Sequence, residues 1–146
     1  MERLLLAVVL AIVAVGLAAL VQRRQRPDAP VRTGYSVPAQ VDRADFDRPD
    51  APWLVAVFTS ATCDTCQGVW ERTQPLASDA VVVQEIEHQA DRALHDRYGI
   101  DAVPTTLVVD AEGVVATSFL GPVTATDLWA AVAEAREPGS TPGGCE

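Results

Sequence analysis

The sequence predicts an α/β domain, a mixed β-sheet flanked by helices, preceded by a single transmembrane helix. Three observations carry that expectation. Short runs rich in β-branched residues alternate with helix-like segments from about residue 37 onward. An unbroken apolar stretch occupies residues 4–21. A pair of cysteines, Cys63 and Cys66, sits where one β-rich run gives way to a helical segment.

At 146 residues the chain is long enough for one domain with a proper core and some additional segments. Its hydrophobic content of 49% argues against wholesale disorder. The formal net charge of −9 argues against nucleic acid as a partner, because phosphate binding needs a basic face.

Residues 4–21 carry no charge and come close to the roughly 20 apolar residues that a spanning helix needs. A cleaved signal peptide is the alternative. Its apolar region usually runs only about 7–15 residues before a cleavage site, whereas here the run continues past Gly16-Leu17-Ala18 into a basic cluster. A retained anchor over residues 1–21 is therefore favoured. Arg23, Arg24 and Arg26 follow the span and only Arg3 precedes it. Basic residues stay on the cytoplasmic side, so the soluble part is expected in the cytoplasm, with an extracytoplasmic placement as the alternative. Residues 22–36 are basic and proline-rich and read as a linker.

The domain proper is expected over residues 37–137. Residues 39–41 form a short edge strand. "WLVAVFT", residues 53–59, is continuously apolar, as a strand buried on both faces would be. A helix follows from Cys63 to about Thr73 and ends at Pro75. Residues 80–86 give a second buried strand. "ADRALHDRYG" gives a short helix with Leu94 and Tyr98 on one face and Gly99 as its stop. Residues 105–110 form a strand, 111–113 a turn and 114–120 an antiparallel return strand. Thr124 caps a last helix to about Arg136, with Asp127 at the capping-box position and Leu128, Val132 and Ala135 as its buried stripe. Residues 138–146 are a flexible tail containing Cys145. That third cysteine is a tail thiol without a dedicated role, or else a resolving or intermolecular one.

A C-x-x-C is a redox dithiol, half of a zinc site, or an accident. Zinc needs two further ligands. The only histidines, His88 and His95, lie among Glu87, Gln89, Asp91 and Asp96 and read as a solvated face, so no metal is assigned. The strand before the pair and the helix after it favour the redox reading. Free N–H groups at a helix start stabilise a thiolate at Cys63. Cys66, one turn later, can attack a mixed disulfide formed at Cys63 and release the partner. Asp64 beside Cys63 opposes its thiolate and so tunes its pKa. Pro104, directly before a central strand, is either an ordinary trans strand start or a cis-proline that leaves a backbone edge free for an extended peptide.

"VFTSATCDTC", "RYGIDAVPTTLVVDAEGVV" and "FLGPVTATDLWAAV" together resemble the thioredoxin family across residues 37–137. The resemblance implies a thioredoxin-like sheet, Cys63 as the attacking and Cys66 as the resolving catalytic cysteine, and a cis bond between Val103 and Pro104. It implies substrate-binding positions at Thr62, Val103 and Pro104, protein disulfide or dithiol substrates, an upstream redox partner, and no cofactor. Three positions depart from the family pattern. Thr62 stands where Trp is usual, and Asp64-Thr65 where Gly-Pro is commonest. Val57 stands where a buried acid assists proton transfer to the resolving cysteine. The combined reading is a membrane-anchored thiol–disulfide oxidoreductase acting as a reductant. Its rivals are an extracytoplasmic reductase or isomerase of the cytochrome c maturation type, and a redox-inactive binding module docking partners at Val103-Pro104.

Overall fold

The computed structural model describes residues 36–140. The expected span over residues 4–21, the linker up to residue 35 and Cys145 lie outside them. Among the described residues no helix is long and apolar enough to cross a membrane.

Strand β1, Trp53–Thr59, is the centre of the sheet, and Leu54 to Phe58 have no exposed surface. Burial on both faces is what its unbroken apolar run requires, since successive side chains point to opposite sides. β2 (Val81–Glu87) pairs with β1 in parallel, β3 (Thr105–Val109) pairs with β1 antiparallel, and β4 (Val115–Leu120) pairs with β3 antiparallel. The resulting order is β2-β1-β3-β4. The expected edge strand at residues 39–41 is reduced to a single bridge, Gln40 to Val114, flanked by Val41 N–H to Gly113 O at 2.8 Å. The chain turns away immediately afterwards, because Asp42 caps a 3-10 turn over Arg43–Asp45.

Two cores follow from the alternation along the strands. On one face Leu54, Ala56, Phe58, Ile86, Leu107 and Val109 pack with Leu94 and Tyr98 of helix α2, Arg92–Tyr98. On the other, Val55, Val57 and Val108 pack with Val69 of α1, Cys66–Thr73, and with Leu128 and Val132 of α3, Ala125–Arg136. The sheet is thus covered on both faces, as the alternating pattern requires.

α1 begins at Cys66, not at Cys63 as expected. Cys63 to Thr65 form a turn instead, in which the Cys66 N–H reaches the Cys63 carbonyl at 3.2 Å. The helix gives way to a 3-10 turn at Gln74–Leu76, where Pro75 has no N–H to continue the ladder. Gly99 ends α2 with a left-handed φ of 64°. Thr124 caps α3, accepting from the Asp127 N–H at 3.1 Å while its hydroxyl donates to the Asp127 carboxylate at 2.6 Å. The Asp127 side chain therefore meets the cap hydroxyl rather than the cap backbone, a variant of the expected box.

Two side chains are buried against expectation from their type. His95 is 2% exposed, which corrects its assignment to a solvated face. It follows Leu94 on the inward stripe of α2, its Nε2 donates to the Ile86 carbonyl at 3.0 Å, and its ring meets Phe58 and His88 edge-on. Arg43 is 7% exposed and donates to the carbonyls of Asp110, Arg48 and Ala51. Burial disfavours its charge, and Asp110 opposes that effect.

Candidate functional site

β1 delivers the chain to the sheet edge at Thr59, and residues 60–65 carry it into α1. Cys63 and Cys66 are joined as a disulfide, with Cα atoms 5.4 Å apart. Their surroundings differ. Cys66 shares the inward stripe of α1 with Val69 and Thr73, at helical spacings of three and four, and is 2% exposed. Cys63 lies in the turn one step upstream and is partly open to solvent. An incoming sulfur has access at Cys63 and not at Cys66.

The loop before Cys63 is tied to β2. Glu87 accepts the Ala61 N–H at 3.0 Å through one carboxylate oxygen. The other oxygen accepts the N–H groups of Gln89 and Ala90 at 2.8 and 3.0 Å. The bonds from Ala61 and Ala90 hold this carboxyl below the usual carboxylate range, outweighing its partial desolvation. Since the folded-state value is depressed, the tie is fully present above the ordinary carboxylate pKa and is lost as the pH falls through the lowered one.

An open cleft of about 500 Å³ borders the disulfide. It is lined by Thr59, Ser60, Ala61, Cys63 and Asp64 from β1 and its loop, by Cys66, Gln67 and Trp70 from α1, and by Glu85 and Glu87 from β2. Asp64 is exposed there beside Cys63. Thr65 brings a hydroxyl to 3.6 Å from the Cys63 sulfur, a partner that sequence reasoning overlooked because Thr65 is only the middle of a C-x-x-C. Glu85 and Glu87 were also missed. The signal for them was the polar ending of an otherwise apolar strand, "VVVQEIE".

The remaining expected positions lie apart from the cleft lining. Thr62 is exposed and exchanges hydrogen bonds with Ser60. The Val103–Pro104 bond is cis. Pro104 is buried, and its carbonyl accepts the Gly121 N–H at 2.8 Å. Phe58 pairs with Thr105 in the register, so the exit of β1 toward the cysteines and the entry to β3 after Pro104 lie at the same sheet edge. Val57 is fully buried on the face toward α1. Among the described residues no cluster of three or more His, Cys, Asp or Glu side chains is placed to hold a metal ion.

No protein-family model matches the chain. No curated protein matches it either. Solved structures do. Thioredoxin f from spinach chloroplast aligns at 18% identity and a TM-score of 0.53, over 70% of this chain and 99% of that one. Chloroplastic thioredoxin z aligns at 19% identity and a TM-score of 0.53, over 60% of this chain and 80% of that one. The oxidized form of mitochondrial thioredoxin 3 from Saccharomyces cerevisiae aligns at 17% identity and a TM-score of 0.50, over 59% and 81%. At these identities the likeness is one of fold.

Proposed function

We propose that this chain, whose described domain has a thioredoxin-like fold with a Cys63–Cys66 disulfide, is a membrane-anchored thiol–disulfide oxidoreductase that acts on protein partners as a reductant. The observation that carries the chemistry is the unequal exposure of the two sulfurs. The Cys63 thiolate attacks a partner disulfide and forms a mixed disulfide, with one partner sulfur leaving as thiolate. Cys66, sheltered beneath it, then attacks the Cys63 sulfur, which closes the disulfide seen here and releases the second partner sulfur. Two electrons pass from the dithiol to the partner, and an upstream dithiol system restores the reduced form. Thr62 and the Val103-Pro104 segment serve as the contact surface for the partner's backbone. The apolar run over residues 4–21 and the arginines after it support an anchor with the domain on the cytoplasmic side.

The test is trapping in cells. Cys66→Ser should accumulate partners as mixed disulfides, because attack remains while release is lost. Cys63→Ser should trap far fewer. Equal trapping by the two variants, or none from either, overturns the assignment of roles.

A further inference from the structure

The thiol of Cys66 must lose its proton before it can resolve a mixed disulfide, and it is nearly fully buried. Burial in an apolar setting raises the cost of the thiolate, so an internal acceptor has a large effect. β1 offers none, since Val57 and Thr59 are its inward residues at this end. Three carboxylates line the cleft with Cys66: Asp64 from the turn, and Glu85 and Glu87 from β2. No lysine, arginine or histidine lines it. Glu71, further along α1, is exposed and accepts from the Gln67 side chain at 3.0 Å. Asp64, in the turn between Cys63 and Cys66, is exposed to solvent. Both Glu87 oxygens are occupied by backbone N–H groups.

Glu85 remains. It pairs with Val57 in the parallel register, so its side chain leaves the sheet on the same face as Val57, toward α1. It is partly buried, and the Thr59 hydroxyl, itself 1% exposed, donates to one of its oxygens at 2.8 Å. The other oxygen makes no hydrogen bond among the described residues.

Resting on the oxidoreductase reading above, we infer that Glu85 is the proton acceptor for Cys66, supplied by the neighbouring strand where β1 presents no carboxylate. In the resolving step the Cys66 proton passes across the cleft to the Glu85 carboxylate, with a cleft water as relay. The Cys66 sulfur forms the S–S bond to Cys63. The bond from Cys63 to the partner breaks, and the partner sulfur leaves as thiolate with the electron pair. The Glu85 carboxylic acid then returns its proton to solvent. Thr59 is a positioning residue that aims the carboxylate.

The two chemical steps separate in a stopped-flow reaction of the reduced full chain with Ellman's reagent, all variants carrying Cys145→Ser. Attack by Cys63 releases a first thionitrobenzoate, and resolution by Cys66 releases the second. Glu85→Gln should leave the first phase within about twofold. It should slow the second on the order of tenfold near neutral pH, below the hundredfold or more of an optimally placed base. The deficit should shrink as the pH rises past the ordinary thiol value of about 8.5, where hydroxide replaces the carboxylate. Glu85→Asp should restore part of the rate, and Thr59→Val should slow the second phase by a smaller factor. A second phase in Glu85→Gln within twofold of the parent, or a deficit that does not vary with pH, overturns the role of Glu85. Absence of a second phase in the parent overturns the oxidoreductase reading instead.

Discussion

A single charge beside Cys63 is expected to tune its chemistry. The exposed Asp64 carboxylate follows Cys63 directly in the chain and borders the same cleft. At a separation of about 6 Å with water-like screening, its repulsion of a thiolate is roughly 0.7 kcal/mol, or about half a pKa unit. A costlier thiolate destabilises the reduced form and makes the pair more reducing. Asp64→Asn should therefore lower the Cys63 pKa by about half a unit and raise the reduction potential by about 15 mV. Thiolate absorbance against pH, together with glutathione equilibration, measures both. An unchanged pKa would show that the carboxylate is screened from the sulfur. The Thr65 hydroxyl at 3.6 Å acts in the opposite sense, since a donor to sulfur favours the thiolate. At this scale the sequence named the two cysteines, Asp64 and the cis-proline position. It did not reveal Thr65 or Glu85. Thr65 matters because of a turn whose shape depends on where α1 begins. Glu85 matters because of the strand register, which is not readable from β2 alone. His95 was legible in principle, because it sits between Leu94 and Tyr98 on the inner stripe of α2, but its polar neighbours masked that stripe.

Among the elements, the β3–β4 hairpin depends on one glycine. Gly113 has φ of +84°, and a Cβ there would lie 2.1 Å from the Val41 carbonyl oxygen. That contact is also where residues 39–41 join the sheet edge, through Val41 N–H to Gly113 O and Val115 N–H to Ala39 O. Gly113→Ala should cost roughly 2 kcal/mol or more, because it combines an unfavourable backbone region with a clash against main chain that cannot swing away. Chemical denaturation reads the loss as a lower midpoint, and an unchanged midpoint would refute the argument. The turn is at the sheet edge opposite the cysteines, so exchange by the folded fraction should be unaffected. The strands and the last helix were legible from β-rich runs and caps. The start of α1 and the extent of the edge strand were not. Three-residue turns before a helix and single bridges at a sheet edge are decided by tertiary hydrogen bonds, such as those of Glu87 and Gly113, rather than by local pattern.

For the whole molecule, the proposed anchor makes a testable prediction about the side of the membrane on which the domain works. On the proposed anchored reading, the arginines after the apolar run predict a cytoplasmic domain by the positive-inside rule. An impermeant alkylating reagent should then leave Cys145 unlabelled in intact cells and label it after lysis. Labelling in intact cells would move the domain outside and favour a reductase or isomerase of the cytochrome c maturation type. Compartment matters because it governs the direction in which a dithiol of given potential passes electrons.

The sheet order has a consequence for biosynthesis. β1 and β2 both end, and β3 begins, at the edge that carries the cysteines. The cysteines are therefore translated after β1 but well before the β3–β4 hairpin that completes the sheet. Roughly 40 residues separate Cys66 from the start of β3, which at about 5–20 residues per second is about 2–8 s of synthesis. During that interval β1 and the start of α1 already exist and β2 is still to follow, but the β3–β4 hairpin that completes the sheet is absent. The intervening loop is already the shortest one either cysteine can close, while Cys145 follows Cys66 by 79 residues. Order of appearance on the ribosome thus favours the local Cys63–Cys66 pairing over any bond to the tail, before the fold exists to enforce it.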